Sequence, residues 1–157
     1  MSRRHTAEKR DIPPDPRYQN KVLAKFINRV MMEGKKSVAR SIVYDALDEF
    51  AKMINAADTL EAFLEALENV KPNLEVKSRR IGGATYQVPV EINESRRTSM
   101  AMKWIINFSR AKPGKPMRKA LAQELAASFN KQGDAYKKRE ETHRMAEANK
   151  AFAHYKW

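Results

Sequence analysis

The stretch Val70-Lys71-Pro72-Asn73-Leu74-Glu75-Val76-Lys77-Ser78-Arg79-Arg80-Ile81-Gly82-Gly83-Ala84-Thr85-Tyr86-Gln87-Val88-Pro89-Val90-Glu91-Ile92 decides the fold. It carries the one convincing two-stranded signal in a chain that otherwise reads as helix. Two alternating arms flank Gly82-Gly83 and predict a hairpin over about residues 73–92. Its register follows from the side chains, since a slip by one residue exchanges the two faces. A two-residue turn at Gly82-Gly83 would set Val88 opposite Lys77. A three-residue loop, Gly82 to Ala84, pairs Val76 with Val90 and Leu74 with Ile92 and gathers the apolar residues, so the longer loop is the expectation. At roughly 3.3 Å per residue the arm would project about 20 Å or more. An isolated ribbon is marginal in water, and Lys77, Arg79 and Arg80 near its tip suit completion by a polyanion.

On both sides the apolar period is helical. Pro13-Pro14-Asp15-Pro16 stiffens the entry and divides a basic extension, 1–16, from a single domain, 17–157. A first helix follows with Val22, Leu23, Phe26, Ile27 and Val30 on one stripe, Lys21, Lys25 and Arg29 outside it, and Gly34 placed to end it. A second, from about Ser37 to Ile54, is expected to bury Val38, Ile42, Val43, Leu47 and Phe50. Asp58-Thr59-Leu60-Glu61 is a capping-box arrangement opening a third helix, which Pro72 stops. Beyond the hairpin, a fourth helix from about Ser95 to Arg110 turns Ala101, Trp104, Ile105 and Phe108 inward. Arg96, Lys103, Asn107 and Arg110 form its polar stripe, a pattern that suits phosphate contact. Residues 110–119 hold five basic groups and no acidic one, with Pro116 at the start of a fifth helix. A sixth begins near Asp134. The terminal aromatics Phe152, Tyr155 and Trp157 read as contacts for a partner in preference to core anchors. The expected class is mainly α: a six-helix bundle with a single protruding β-hairpin between helices three and four.

The 157 residues carry 31 Lys or Arg against 19 Asp or Glu, a formal net charge of +12. That surplus is blocked, not sprinkled: residues 1–40 sum to +7, 41–70 to −6, 71–119 to +9 and 120–157 to +2. Two basic blocks separated by an acidic helical pair point to a defined surface for a nucleic acid. The absence of cysteine excludes disulfides and thiolate chemistry. No apolar run approaches the ~18 residues of a membrane span, and no leader pattern opens the chain, so a soluble cytoplasmic protein is expected. His5, His143 and His154 have no metal or triad spacing and read as surface groups. Gly34-Lys35-Lys36-Ser37 fails as a phosphate loop, because Lys36 stands in the Ser/Thr place and helix precedes it. Neither catalysis nor a cofactor nor a metal is expected.

Three segments are recognisable together: Lys25-Phe26-Ile27-Asn28-Arg29-Val30-Met31-Met32-Glu33-Gly34-Lys35-Lys36, the hairpin Glu75 to Pro89, and Arg144-Met145-Ala146-Glu147-Ala148-Asn149-Lys150. From about Pro13 to its end the chain resembles bacterial small-subunit ribosomal protein seven. The resemblance implies a ribosomal protein in the cytoplasm that binds the 3′ major domain of 16S rRNA and starts assembly of the small-subunit head. It implies that the hairpin, through Arg79, Arg80, Gly82, Gly83 and Tyr86, faces the exit-site tRNA and the mRNA path. It also places the C-terminal region, with Phe152, Tyr155 and Trp157, near ribosomal protein eleven of the same subunit, among other head proteins. On this likeness rRNA contacts are expected at Arg3, Arg4, Lys9, Arg10, Lys35, Lys36, Lys77, Arg79, Arg80, Arg96, Arg97, Lys103, Arg110, Lys112, Lys115, Arg118 and Lys119, joined by Lys21, Lys25 and Arg29. From residues alone, two other readings stand beside this one. A helical DNA-binding regulator with a wing-like hairpin would bind duplex DNA as a dimer. An interaction scaffold using the acidic helices would bind without the basic arm.

Overall fold

The computed structural model describes residue 5 and residues 7–155. Among the described residues six α-helices enclose the core: α1 (Lys21–Val30), α2 (Lys36–Ile54), α3 (Thr59–Val70), α4 (Glu94–Arg110), α5 (Met117–Phe129) and α6 (Gly133–Ala148). Strands β1 (Leu74–Ile81) and β2 (Ala84–Glu91) lie between α3 and α4, and a 3-10 helix, Lys150–Tyr155, follows α6. The mainly helical class with one hairpin is therefore as expected.

Local chemistry sets the helix starts. Asn20 Oδ1 accepts from the amides of Val22 and Leu23, Asp58 Oδ1 from Leu60 and Glu61, and Asn93 Oδ1 from Arg96. Each satisfies first-turn amides that have no carbonyl partner inside the helix. Phe26, Phe50 and Phe63 are fully buried, with Phe26 and Phe63 edge to face at 5.2 Å between ring centroids. Burial of each such side chain contributes about 1.5–3 kcal/mol. Helix α5 packs against α2, α3, α4 and α6. Its Ala120, Leu121, Ala122 and Leu125 are wholly buried, the alanines letting neighbouring backbones approach closely.

Two sequence expectations fail. The hairpin uses the two-residue turn: Ile81 pairs with Ala84, Lys77 with Val88 and Val76 with Pro89. Gly82 and Gly83 both take positive φ, 55° and 88°, the requirement of a type I′ turn whose twist matches the strands. That turn fixes the register, and the apolar residues find partners outside the ribbon: β1 meets α6, and β2 meets both α6 and the 3-10 helix. Val88 is completely buried although Lys77 lies opposite. The arm is thus braced by α6 and the 3-10 helix. Val38, expected in the core, is 54% exposed; Ala39 and Val43 hold the inner face of α2.

Asp15, in the proline-rich entry, is 2% exposed. Its Oδ2 accepts from the amides of Arg17 and Tyr18, both at 3.0 Å, and its Oδ1 from Tyr44 Oη at 2.7 Å. Three donors offset the burial of the carboxylate and tie the entry segment to α2.

Candidate nucleic-acid interface

The turn after α1 and the loop after α4 lie far apart in sequence and meet in space. Arg110 Nη2 donates to the Val30 carbonyl at 3.1 Å. Lys35, Arg110, Lys112 and Lys115 then rim one groove of about 340 Å³, floored by Val30, Met32, Val38, Ile42 and Met117. Lys112 is held in place from below. Its Nζ lies 2.7 Å from Oε2 of Glu124, which is 1% exposed, and the other Glu124 oxygen accepts from the Ala135 amide at 2.9 Å. A buried carboxylate thereby anchors the basic loop to α5 and to the start of α6.

Gly133 sits at that same junction with φ of +87°. A Cβ there would meet the Ala127 Cβ at 2.8 Å and Glu124 Oε1 at 3.2 Å, so glycine is needed for both backbone shape and space.

The other expected contact residues divide by what already holds them. Arg96 binds Glu75 in a fork, Nε to Oε1 at 2.9 Å and Nη2 to Oε2 at 2.7 Å. This hydrogen bonding holds the Glu75 carboxyl below its ordinary value against the opposing effect of burial. Arg97 donates to the Pro72 carbonyl, Asn73 Oδ1 and Glu94 Oε2. These two arginines fasten the base of the hairpin to α4. Lys21 pairs with Asp11, Arg118 with Asp45 at 3.7 Å, Lys35 with Glu33, and Lys77 with Glu75 at 3.5 Å. Lys115 donates to Gln123. Arg29 binds Ser99 Oγ, and with Lys25 it lines a second, mixed-charge groove that also contains Glu68, Lys71 and Glu94. Lys9, Arg10, Lys36, Arg80, Lys103 and Lys119 are exposed. Arg3, Arg4 and Trp157 lie outside the described residues.

At the arm, Arg79 donates to the Tyr155 carbonyl. Tyr86 packs against Phe152 and Tyr155, with ring centroids at 5.4 and 5.1 Å. Phe152 and Tyr155 are half-buried against the hairpin of their own chain. Gly82 and Gly83 remain exposed at the tip.

His143 is more than the surface group expected. Its Nε2 accepts from the Asn73 amide at 2.9 Å, joining α6 to the entry of β1. Burial, and then the nearby Arg139 charge, lower its pKa from the ordinary imidazole value. Asp15, Glu75 and Glu124 were equally unassigned by sequence reading. Only Glu124 left a signal, as a lone acid among the apolar residues Leu121, Ala122 and Leu125. Among the described residues no cluster of His, Cys, Asp or Glu has the geometry of a metal site, and no helix is long and apolar enough to cross a membrane.

Comparison with known proteins gives one consistent result. The family model described as ribosomal protein S7p/S5e matches residues 2–150. The small ribosomal subunit protein uS7 of Chlamydia abortus is 68% identical over 157 residues, spanning the whole of both chains. The proteins of that name from Protochlamydia amoebophila and Chlamydia trachomatis serovar D are each 65% identical over the same full span.

Proposed function

The chain belongs to the ribosomal protein S7p/S5e family, and from that premise we propose that it binds the 3′ major domain of 16S rRNA directly and starts assembly of the small-subunit head. As a member of the family it is a structural constituent of the small ribosomal subunit and not an enzyme. The observation that carries the finer reading is the convergence of Lys35 with Arg110, Lys112 and Lys115 on one groove. A surplus of cations on a concave surface recognises the spacing and shape of phosphates, which is how folded RNA is read where base edges are inaccessible.

In this reading the basic residues of 1–16 form an extension to one RNA-binding domain, 17–157. Lys36, Lys103 and Lys119, all exposed, add phosphate contacts. Arg80, Gly82 and Gly83 at the hairpin tip face the exit-site tRNA and the mRNA path, with Arg79 and Tyr86 setting the angle of the tip from behind. Phe152 and Tyr155 present the terminal segment to ribosomal protein eleven of the subunit. The DNA-regulator reading is the weaker one, because the basic groups are dispersed over α1, α2, α4, α5, the connecting loops and the arm and are not concentrated on one recognition helix.

The test is binding to a 3′ major-domain fragment against duplex DNA and an unrelated folded RNA of equal length, across a salt titration. Preference for the fragment that persists at high salt is expected. Equal affinity for all three, erased together by salt, would overturn the reading.

A further inference from the structure

Arg40 stands on the second turn of α2, one helical turn beyond Lys36. Its Nε is buried and has no hydrogen-bond partner among the described residues. It lines a cavity of about 250 Å³ with Lys36, and the proline-rich entry segment closes the cavity's other side. A guanidinium is always charged, and a buried donor without an acceptor is costly. Asp15 is the single acidic residue of the lining. Its oxygens are already engaged by the Arg17 and Tyr18 amides and the Tyr44 hydroxyl.

We propose that Arg40 and Lys36 form an oxyanion pocket that takes a phosphate of the bound RNA. The inference rests on the RNA-binding reading and adds to it a ligand residue, Arg40, and a concave site in place of a bare surface charge. Two cationic side chains on one cavity wall suit an oxyanion. Lys36 is exposed and supplies a mobile ammonium, whereas the half-buried Arg40 supplies a planar guanidinium. The Asp15 hydrogen bonds hold the entry segment in place, so the pocket exists before the ligand arrives and little ordering entropy is lost on binding.

Two measurements on the full chain test this. In the first, Arg40→Gln is compared with wild type for binding to the 3′ major-domain fragment over a salt titration, with the thermal unfolding of both proteins recorded. The expected result is a Kd raised by about tenfold at low salt and a log–log salt slope shallower by about 0.7 to 0.9. Wild-type Kd and slope in the variant, where wild type itself prefers the fragment, overturn the pocket. In the second, the free wild-type protein is titrated with sulfate against chloride at equal ionic strength while the arginine Nε–H resonances are followed by NMR. The expected result is a saturable shift of the Arg40 signal with sulfate alone, absent in Lys36→Gln; no shift overturns the proposal. If wild type shows no preference for the fragment, the RNA reading fails and the sulfate titration still decides the pocket.

Discussion

Replacing Glu75 by Gln isolates what fastens the hairpin to the helical body. Glu75 is 7% exposed, and both of its oxygens are engaged by the Arg96 fork at 2.9 and 2.7 Å. Gln preserves the volume but removes the charge, and it can accept through one oxygen only. Exposed pairs contribute about 0–1 kcal/mol, and breaking one side of a fully buried pair costs about 3–5 kcal/mol. Here the carboxylate is buried while the Arg96 side chain is 54% exposed, so water takes up the arginine once it is released. The expected loss is therefore about 1–2 kcal/mol at neutral pH. For a chain of this size that lowers Tm by roughly 3–6 °C.

The sign of the pH dependence adds a second readout. The Glu75 carboxyl titrates below its ordinary value of 4.5 in the folded protein, so its stabilisation is fully present above pH 4.5. It is lost as pH falls through the folded value. Urea unfolding of wild type and variant between pH 7 and pH 3 measures the difference, with the other carboxylates common to both and cancelling. The gap is expected to close on acidification. A gap of the same size at pH 3 as at pH 7 would refute the assignment, since it would show that the substitution acts through packing and not through the ion pair.

Arg96→Ala and Lys103→Ala are expected to part company: the first lowers stability by about 1–2 kcal/mol with the RNA salt slope nearly unchanged, the second shallows the slope by about 0.7 to 0.9 with stability unchanged. Salt titrations and urea melts of both variants check this, and a shallower slope for Arg96→Ala would show that the fork opens to meet RNA. Gly133→Ala forces a Cβ to 2.8 Å from Ala127 at positive φ and should cost about 2–4 kcal/mol. Gly34→Ala, at φ of +73° with nothing within 4 Å, should cost only about 1–2 kcal/mol; equal losses in thermal melts would contradict the clash. His143 is favoured neutral in the folded state, so its stabilisation is present above pH 6.5 and is lost as pH falls below it. His143→Ala should accordingly fall furthest below wild type at pH 7.5 and approach it towards pH 5, as read by urea unfolding at each pH.

The sequence by itself determined the secondary structure and the class of partner. Helical periodicity, the capping box at Asp58 and the stops near Gly34 and Pro72 act within a few residues, so α1 to α3 are legible without any tertiary knowledge. The blocks of charge are equally local and point to a polyanion. Tertiary structure decided what those charges are attached to. Whether Arg96 meets a phosphate or Glu75, and whether Lys112 stands free or on a buried Glu124, depends on residues 21 and 12 positions away that periodicity cannot bring together. The hairpin register shows the same limit. Pairing the valines within the ribbon would shelter them, but α6 and the terminal 3-10 helix supply that cover instead. The Gly82-Gly83 turn was then free to set the register by its own backbone geometry. Burial on α2 shifted likewise: Val38 is exposed and lines the basic groove, and Arg40 lines a pocket whose other wall is a proline-rich segment more than 20 residues earlier in the chain.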